Sequence, residues 1–372
     1  MVASFDERIM QRALELAALG RHTTPPNPSV GCVVTQGERI VGEGWHRKWG
    51  EPHAEPLALQ AAGAEAKGST VYVTLEPHSY QSRTPPCTDA LIRAGVRRVV
   101  IGVLDANPKV SGDGVRQLQA AGIDVQVGVL AEAARELNLG FEKRMTTGLP
   151  RVIVKCAISL DGRIALANGE SKWITGAAAR ADVQRLRSRM SAVMTGVGTV
   201  LADDPQLNVR DPAIEMLGRQ PLRVVLDSKL RMPPTAAMLK LPGTTLVFTG
   251  PASPMTNAAA VTGELQRAGA EVRLADLGAD GRSDLNFVLQ ELGRRLCNDV
   301  LIEAGPTLVG QVLSQGLADE IVAYVAPVLL GPQARAMADL PALQALDGAQ
   351  RYTMHSVEPV GEDVRLILRP RA

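Results

Sequence analysis

Apolar residues recur every three or four positions at Phe5, Ile9, Ala13, Leu16 and Ala17, the spacing of one helix face, and Ser4 with Glu7 forms a capping box ahead of them. The segment is therefore expected as a folded helix rather than a tail. After the proline-rich turn TTPPNPS the period changes, and the runs VGCVVT and IVGEGW, separated by a glycine turn, read as strands. Helical patterns at Ala54 to Ala62, Thr88 to Ala94 and Val115 to Ala121 then alternate with strands at Val71 to Leu75, Arg98 to Val103 and Asp124 to Val127. Strands this apolar are covered on both faces, which predicts an α/β domain around a largely buried sheet.

A single helix is predicted from about Ala131 to Arg144, ended by the glycine and proline of TTGLP, after which the buried strand RVIVKCAISL begins. The domain boundary is expected near Gly148, with one domain over 1–148 and another over 149–372. In the second half, helices at Ala177 to Ser188, Leu285 to Leu296 and Thr307 to Ser314 alternate with strands at Ala192 to Thr195, Leu222 to Leu226, Thr244 to Thr249 and Val300 to Glu303. A chain of 372 residues is long enough for two cores, and without an internal repeat the halves should be different domains doing different work.

The formal net charge of +1 gives no reason to expect a nucleic-acid polymer or an anionic membrane as partner, so any phosphate must be held locally. No apolar run approaches the length that spans a bilayer. The four cysteines, Cys32, Cys87, Cys156 and Cys297, are far apart, and no basic-then-apolar leader is seen, so a reduced, cytoplasmic protein is expected.

The chemistry begins with the triplet HAE. His53 and Glu55 sit two apart at a helix start, where both side chains reach a cavity at the helix end, and Pro56 suits the first turn. Cys87, in PPC ahead of TDALIRAG, stands at another helix N-terminus, where the dipole and free amides favour a thiolate. Zinc held by three protein ligands keeps a fourth position for water and lowers its pKa towards neutrality. Zinc deaminases of nucleobases carry H-x-E followed by P-C-x-x-C. Here the spacing from His78 to Cys87 is longer, so that signature is half met. Two other readings stay open: an accidental triplet with a buried thiol, and a closed structural site with His46 or Cys32 as fourth ligand. In the second half no G-x-G-x-x-G follows the first strand, which excludes a Rossmann reading. The segment VLIEAGPTLVGQVL reads strand, tight turn and helix; its N-terminal amides suit a phosphate, although an ordinary strand-to-helix connection looks the same.

The segments PPNPSVGCVV, GWHRKWGEPHAE, TLEPHSYQSRTPPC and DANPKVSGDG, in that order, resemble the deaminase domain of the RibD family of bifunctional riboflavin-biosynthesis enzymes. With SLDGRIA, SKWITG, MTGVGTVLADDP and the glycine turn above, the second half resembles that family's reductase domain, at least from Lys155 to about Gly331. The resemblance implies a cytidine-deaminase-like three-layer α/β/α domain followed by a dihydrofolate-reductase-like α/β domain. It also implies hydrolytic deamination of 2,5-diamino-6-(5-phosphoribosylamino)pyrimidin-4(3H)-one, then reduction of the ribosyl chain to ribityl with NADPH. In the family a cysteine normally stands at the position of His78, and the usual SHYG that follows reads SYQS here; the register to Cys87 is kept. Histidine is an ordinary zinc ligand, so the expected centre is one Zn2+ on His53, His78 and Cys87, with Glu55 as proton shuttle.

Carried over position by position, Asn27 and Asn107 would read the pyrimidine edge, and His46 and Arg83 would meet the ribose phosphate. Ala157, Trp173, Thr199, Asp203, Ser228 and the turn Gly305, Pro306, Thr307, Leu308, Val309, Gly310 and Gln311 would form the NADPH surface. Ser171, Arg187, Leu207, Arg210 and Glu303 would hold the substrate of the reductase, two arginines converging on its phosphate; Asp203 and Glu303 are the candidates for proton transfer. Ala304 departs from the family's second glycine, and beyond Gly331 the resemblance weakens and nothing is assigned. A homodimer through the reductase half, or a larger homo-oligomer, is the expected assembly. The rival readings are a reductase whose deaminase domain is inactive because of the altered ligand loop, and a binding protein that has lost both chemistries.

Overall fold

The structure, a computed structural model, describes residues 3–81, 84–251 and 258–371. The chain divides into two compact units, Met1–Leu149 and Pro150–Ala372. Among the described residues no helix is long and apolar enough to cross a membrane.

The first unit runs α1 (Phe5–Leu19), β1 (Gly31–Gln36), β2 (Arg39–Trp45), α2 (Ala54–Ala62), β3 (Thr70–Leu75), α3 (Cys87–Ala94), β4 (Arg98–Val103), α4 (Asp113–Ala120), β5 (Asp124–Val127), α5 (Ala131–Glu136) and α6 (Leu139–Thr147). Its sheet has the order β2-β1-β3-β4-β5. Alternation along the strands sends side chains to two cores. Cys32, Val34, Val71, Val73, Val99 and Ile101 pack with Ala54 and Ala58 of α2, Leu91 of α3 and Leu118 of α4. Val33, Tyr72 and Val100 pack on the other side with Ile9, Met10 and Ala13 of α1 and Ala134 of α5. Both faces are thus covered, and three layers result.

The capping box at Ser4 and Glu7 is formed. The single helix expected from Ala131 to Arg144 is instead two, broken at Asn138. The physical reason lies far away in sequence: the Asn138 side chain accepts from the Ser29 N–H at 2.7 Å and donates to the Ser29 carbonyl at 2.9 Å. A side chain committed to another segment's backbone competes with helix continuation.

The second unit runs β6 (Arg151–Ser159), β7 (Arg163–Ala165), α7 (Ala177–Arg189), β8 (Ala192–Gly196), α8 (Val197–Asp203), β9 (Leu222–Leu226), β10 (Thr245–Thr249), α9 (Ala258–Arg267), β11 (Ala270–Leu274), α10 (Leu285–Arg294), β12 (Asp299–Ile302), α11 (Pro306–Ser314), β13 (Glu320–Ala326), β14 (Arg335–Ala336), β15 (Tyr352–Val360) and β16 (Asp363–Pro370). Nine strands form one sheet in the order β11-β10-β9-β8-β12-β6-β13-β16-β15, all running the same way except β16, which is antiparallel to both of its neighbours. The segment after Gly331, to which the sequence assigned nothing, supplies the antiparallel hairpin that ends this sheet.

One polar network in the first unit is open to measurement. Arg98 on β4 grips both oxygens of Asp6 on α1, at 3.1 and 2.7 Å, and the buried Tyr72 hydroxyl donates to the same carboxylate at 2.7 Å. The Arg98 hydrogen bond, against the opposing effect of burial, and then that of Tyr72 hold the Asp6 carboxyl below its usual range. Its folded pKa lies below the unfolded one, so its stabilisation is present at neutral pH and is lost as pH falls through the carboxylate range. Asp6→Ala should cost about 2 kcal/mol at pH 7, with the difference from the parent chain shrinking towards about pH 3. Urea unfolding across that range checks it, and a difference independent of pH would reject the assignment.

Candidate active sites

In the first unit β2 runs antiparallel to β1, and β1 antiparallel to β3, so β2 and β3 run the same way. Helices α2 and α3 follow these strands and begin at the same edge of the sheet, which brings their first residues together. His53 is the N-cap of α2 and makes no capping bond with its side chain; Glu55 lies buried in the first turn, and Cys87 is the first residue of α3. His53 Nδ1 is 3.3 Å from Cys87 Sγ, and the His53 and His78 ring centroids are 5.5 Å apart. One donor atom each from His53, His78 and Cys87 all lie within 4.8 Å of one another, the one such group among the described residues.

The loop before α3 is tied by its backbone. The His78 carbonyl accepts the Cys87 N–H at 2.8 Å and the Thr88 N–H at 3.2 Å, so it caps α3 while the His78 ring faces the group. Gln117 on α4, which the sequence did not single out, donates to the Ser79 carbonyl at 3.0 Å and accepts from the Thr88 hydroxyl at 2.8 Å. Thr84 Oγ1 lies 3.4 Å from His53 Nε2, the kind of outer contact that orients a ligand ring.

Electrostatics bear on whether these residues suit a metal. Burial, and then the neighbouring His46 and His78, push His53 down to about 4, and burial lowers His78 as well, so both imidazoles are neutral donors. Burial pushes the Cys87 thiol up, and the Glu55 carboxyl adds to this. Burial and the neighbouring carboxyl thus oppose the thiolate that the helix end favours, and a cation against Cys87 would offset them. Burial also lifts Glu55 to about 7. His78 Nδ1 and Glu55 Oε2 are buried without a hydrogen-bond partner. Two neutral imidazoles, one thiol and an unpartnered carboxylate oxygen fit a three-ligand zinc centre with an open position.

His46 does not fit the phosphate role given to it. It is buried, its Nδ1 lies 3.0 Å from the Pro52 carbonyl and its Nε2 3.1 Å from the Asn27 amide nitrogen. An amide nitrogen only donates, so Nε2 accepts and Nδ1 carries the proton. Both ring nitrogens are thereby used, neither for a metal nor for an anion, and the ring positions Asn27. Cys32 is fully buried in β1 among apolar side chains and stands outside the group of three. Asn107 sits in a turn in which its side-chain oxygen accepts the Lys109 N–H at 3.1 Å, leaving its amide NH2 for another partner. Arg83 lies outside the described residues.

The second unit holds a cleft of about 1140 Å³ lined by nine Lys and Arg residues against three Asp and Glu. A chain with a net charge of +1 has therefore concentrated positive charge in one place, which suits a ligand rich in phosphate. Ala157, Ser171, Trp173, Thr199, Asp203, Leu207, Arg210, Ser228, Glu303, Gly305, Pro306, Thr307, Leu308 and Gln311 all line it. Gly305 caps α11 without a side-chain bond, and its own N–H donates to the Thr199 hydroxyl at 3.3 Å, so the first amides of α11 are left for an anion. Arg180 stacks over the Trp173 ring at 4.5 Å.

Three expectations about this cleft need correction. Val309 and Gly310 do not line it: Val309 is buried, and a Cβ on Gly310 would fall 2.1 Å from the Asp339 carbonyl oxygen, so the glycine permits close packing of the 339 segment. Arg187 is not an open phosphate clamp, because it grips Glu303 through two bonds of 2.5 and 3.0 Å and donates to the Asn208 carbonyl at 3.1 Å. Glu303 is consequently unsuited to give a proton near neutral pH. Burial pushes it up, but the Arg187 charge and hydrogen bonds, with Lys155 and Arg210 behind them, overcome this and hold it at about 2. Lys155, which the sequence passed over, lines the same cleft with its Nζ 3.8 Å from Glu303. Arg210, the other arginine of the expected pair, is exposed and lines the cleft.

A hydrolytic metal enzyme joined to a reductase of nucleotide-like substrates is the class that these two sites describe. Residues 3–103 match the family of the cytidine and deoxycytidylate deaminase zinc-binding region, and residues 150–366 match the RibD C-terminal domain. The chain is 47% identical over 374 residues to the riboflavin biosynthesis protein RibD of Escherichia coli, covering 98% of this chain and 99% of that one. It is 43% identical to that of Haemophilus influenzae, with 99% and 98% covered. Among solved structures, Acinetobacter baumannii RibD superposes with a TM-score of 0.90 at 45% identity, covering 99% of each chain. A diaminohydroxyphosphoribosylaminopyrimidine deaminase/5-amino-6-(5-phosphoribosylamino)uracil reductase from Thermotoga maritima superposes at 0.86 with 34% identity. The chain belongs to the RibD family: it is a bifunctional deaminase and reductase of riboflavin biosynthesis, with a cytidine-deaminase-like first domain and a dihydrofolate-reductase-like second.

The two arginines of the cleft should separate experimentally. Arg187→Ala strands the Glu303 carboxylate and should destabilise the protein by about 3 kcal/mol or more. Arg210→Ala should leave stability within about 0.5 kcal/mol and raise the Michaelis constant of the phosphorylated substrate. Thermal unfolding beside reductase kinetics checks both; an unchanged unfolding midpoint for Arg187→Ala would contradict the structural role of the pair.

Proposed function

We propose that the first domain deaminates 2,5-diamino-6-(5-phosphoribosylamino)pyrimidin-4(3H)-one on a zinc ion held by His53, His78 and Cys87. The observation that carries this reading is the convergence of those three side chains within 4.8 Å beside the unpartnered, buried Oε2 of Glu55. Zinc, when bound, supplies the Lewis acid that makes water nucleophilic near neutral pH. Glu55 takes a proton from the attacking water and returns it to the departing amine, which leaves as ammonia. Asn27, fixed by His46, and Asn107 offer amide groups to the edge of the pyrimidine.

The second domain reduces the ribosyl chain of the product to ribityl, with NADPH as the cofactor. The cofactor supplies the hydride. This chain's residues bind and orient: the α11 amides and Thr199 meet a cofactor phosphate, Trp173, Asp203 and Ser228 lie along the same surface, and Arg210 with Ser171 receives the substrate's phosphate. Arg187 keeps Glu303 ionised, and Lys155, with its Nζ 3.8 Å from that carboxylate, also lines the cleft. The working form is a homodimer or larger homo-oligomer of the reductase half, a reading supported by Met354, Val357 and Val364 standing exposed on its outermost hairpin. A cytoplasmic setting suits four cysteines that are all free and buried.

Supplying the diaminopyrimidine phosphate with and without NADPH, and following ammonia and cofactor oxidation separately, tests both halves: ammonia should appear in either case, and oxidation should follow it. His78→Ala should lose zinc from about one ion per chain to near zero, together with ammonia release, and should still reduce a substrate supplied already deaminated. A full zinc complement in that variant would remove His78 from the ligand set.

A further inference from the structure

Immediately before the metal loop stands a buried carboxylate that the chemistry above does not use. Glu76 follows β3, is 3% exposed, and extends the sheet by donating its N–H to the Val103 carbonyl at 2.9 Å. Its side chain turns to another segment. Oε2 accepts the N–H of Asp105 at 3.1 Å and of Gly112 at 2.9 Å, and Oε1 accepts the N–H of Val115 at 3.2 Å. Gly112 is the N-cap of α4 and Val115 lies in its first turn, and α4 has no side-chain cap of its own. Glu76 is therefore that helix's cap, supplied from a distant segment, with its charge at the end of the helix that favours an anion.

We infer that Glu76 is a positioning residue for deamination, holding the 105–115 loop, and with it Asn107, in fixed register with the metal loop. The link is short. Asp105 donates its N–H to Glu76, and its carboxylate accepts the Asn107 N–H at 2.8 Å, so the backbone of Asn107 is set two hydrogen bonds away from Glu76. On its other side Glu76 is followed by Pro77 and His78. One side chain thus ties the strand that leads into the proposed ligand His78 to the turn that presents Asn107. The approach of the two segments is close: a Cβ on Gly114 would fall 2.4 Å from the Pro77 carbonyl oxygen and 3.2 Å from the Glu76 side chain.

The choice of residue follows from counting donors. Three N–H groups, one buried and two partly buried, converge on two oxygens, and only a carboxylate accepts at both. In Glu76→Gln one oxygen still serves two of the donors, while the new NH2 faces the third N–H and repels it. A shorter or apolar side chain would leave all three unpaired, at the cost of one buried and two partly buried unsatisfied donors. Glu76 touches neither the three proposed ligands nor the proton path through Glu55, so its loss should appear in substrate binding and not in chemistry.

The inference rests on the reading of Asn107 as a pyrimidine-binding residue, and the test keeps the two apart. Glu76→Gln should raise the KM for the diaminopyrimidine phosphate about tenfold, with kcat within about threefold of the parent. Zinc content and reduction of a substrate already deaminated should not change, which shows that the variant is folded and loaded. In the Glu76→Gln, Asn107→Ala double variant KM should be no higher than in Asn107→Ala alone, since residues acting through one another are not additive. Gly114→Ala, which pushes α4 off the metal loop while leaving the Glu76 carboxylate itself unaltered, should raise KM in the same way. A fall in kcat at constant KM, loss of zinc, or additive effects in the double variant would overturn the positioning role. An unchanged KM in Asn107→Ala alone would instead remove the reading beneath it, and the inference with it.

Discussion

Ionisable groups taken out of water at strand ends must find a compensating charge or donor, and both domains are organised around how they meet this constraint. In the first, Glu55, His53 and Cys87 crowd together in a space where burial raises the carboxyl and the thiol and lowers the imidazole. Among the described residues no side chain relieves all three, whereas a divalent ion would, by stabilising a thiolate and accepting neutral imidazole. In the second, the compensation is internal. Glu303, although largely removed from water, stays ionised, because the Arg187 fork meets both of its oxygens and Lys155 stands behind. The same residue type therefore shifts in opposite directions in the two halves, up by burial at Glu55 and down at Glu303, where the Arg187 charge overcomes burial.

Topology decides where such crowding is possible. Since β2 and β3 are parallel to each other across the antiparallel β1, the helices that follow them start at one edge, and the HAE triplet and Cys87 meet there although 34 residues separate His53 from Cys87. In the reductase half β12 lies between β6 and β8, so Glu303 at its end faces Lys155 of β6 and Thr199 of α8 in the cleft. Helix α11 then points its unpaired amides into the same space. In each domain the chemistry occupies the ends of parallel strands, the place where connecting helices leave free donors.

Features governed by local period or by motif were legible in the chain: the strand and helix order of the first domain, the HAE and PPC helix starts, and the glycine turn before α11. What stayed hidden depended on partners distant in sequence. Asn138 reads as one more polar position on a helix until Ser29 takes both of its side-chain groups. Arg187 and Glu303 were both seen as ligand contacts, and their pairing with each other, which removes one from phosphate binding and the other from proton donation, carries no signal in residue spacing. Val309 and Gly310 were assigned to the cofactor turn by resemblance to the family, but a helix presents only one side to a cleft, and these two face the Asp339 segment and the core. Glu76 and Gln117 act through main-chain groups of other loops, and a main-chain partner leaves no mark on the sequence.

That distinction bears on the histidine that stands where the family carries a cysteine. The loop leading into α3 is held by backbone atoms: the His78 carbonyl caps the helix, the Gln117 amide grips the Ser79 carbonyl, and Glu76 fixes the strand end before it. None of these contacts depends on which side chain position 78 carries. The longer imidazole has only to be received laterally, and it packs edge-on against the Tyr80 ring with centroids 4.4 Å apart, with the Lys109 ammonium 6.0 Å from the centre of that ring. A loop aimed by its main chain tolerates an exchanged ligand so long as one neighbour changes shape to support it. The reductase cleft has no such freedom at Arg187, where aim and charge reside in a single pair of side chains, and there an exchange would strand the partner.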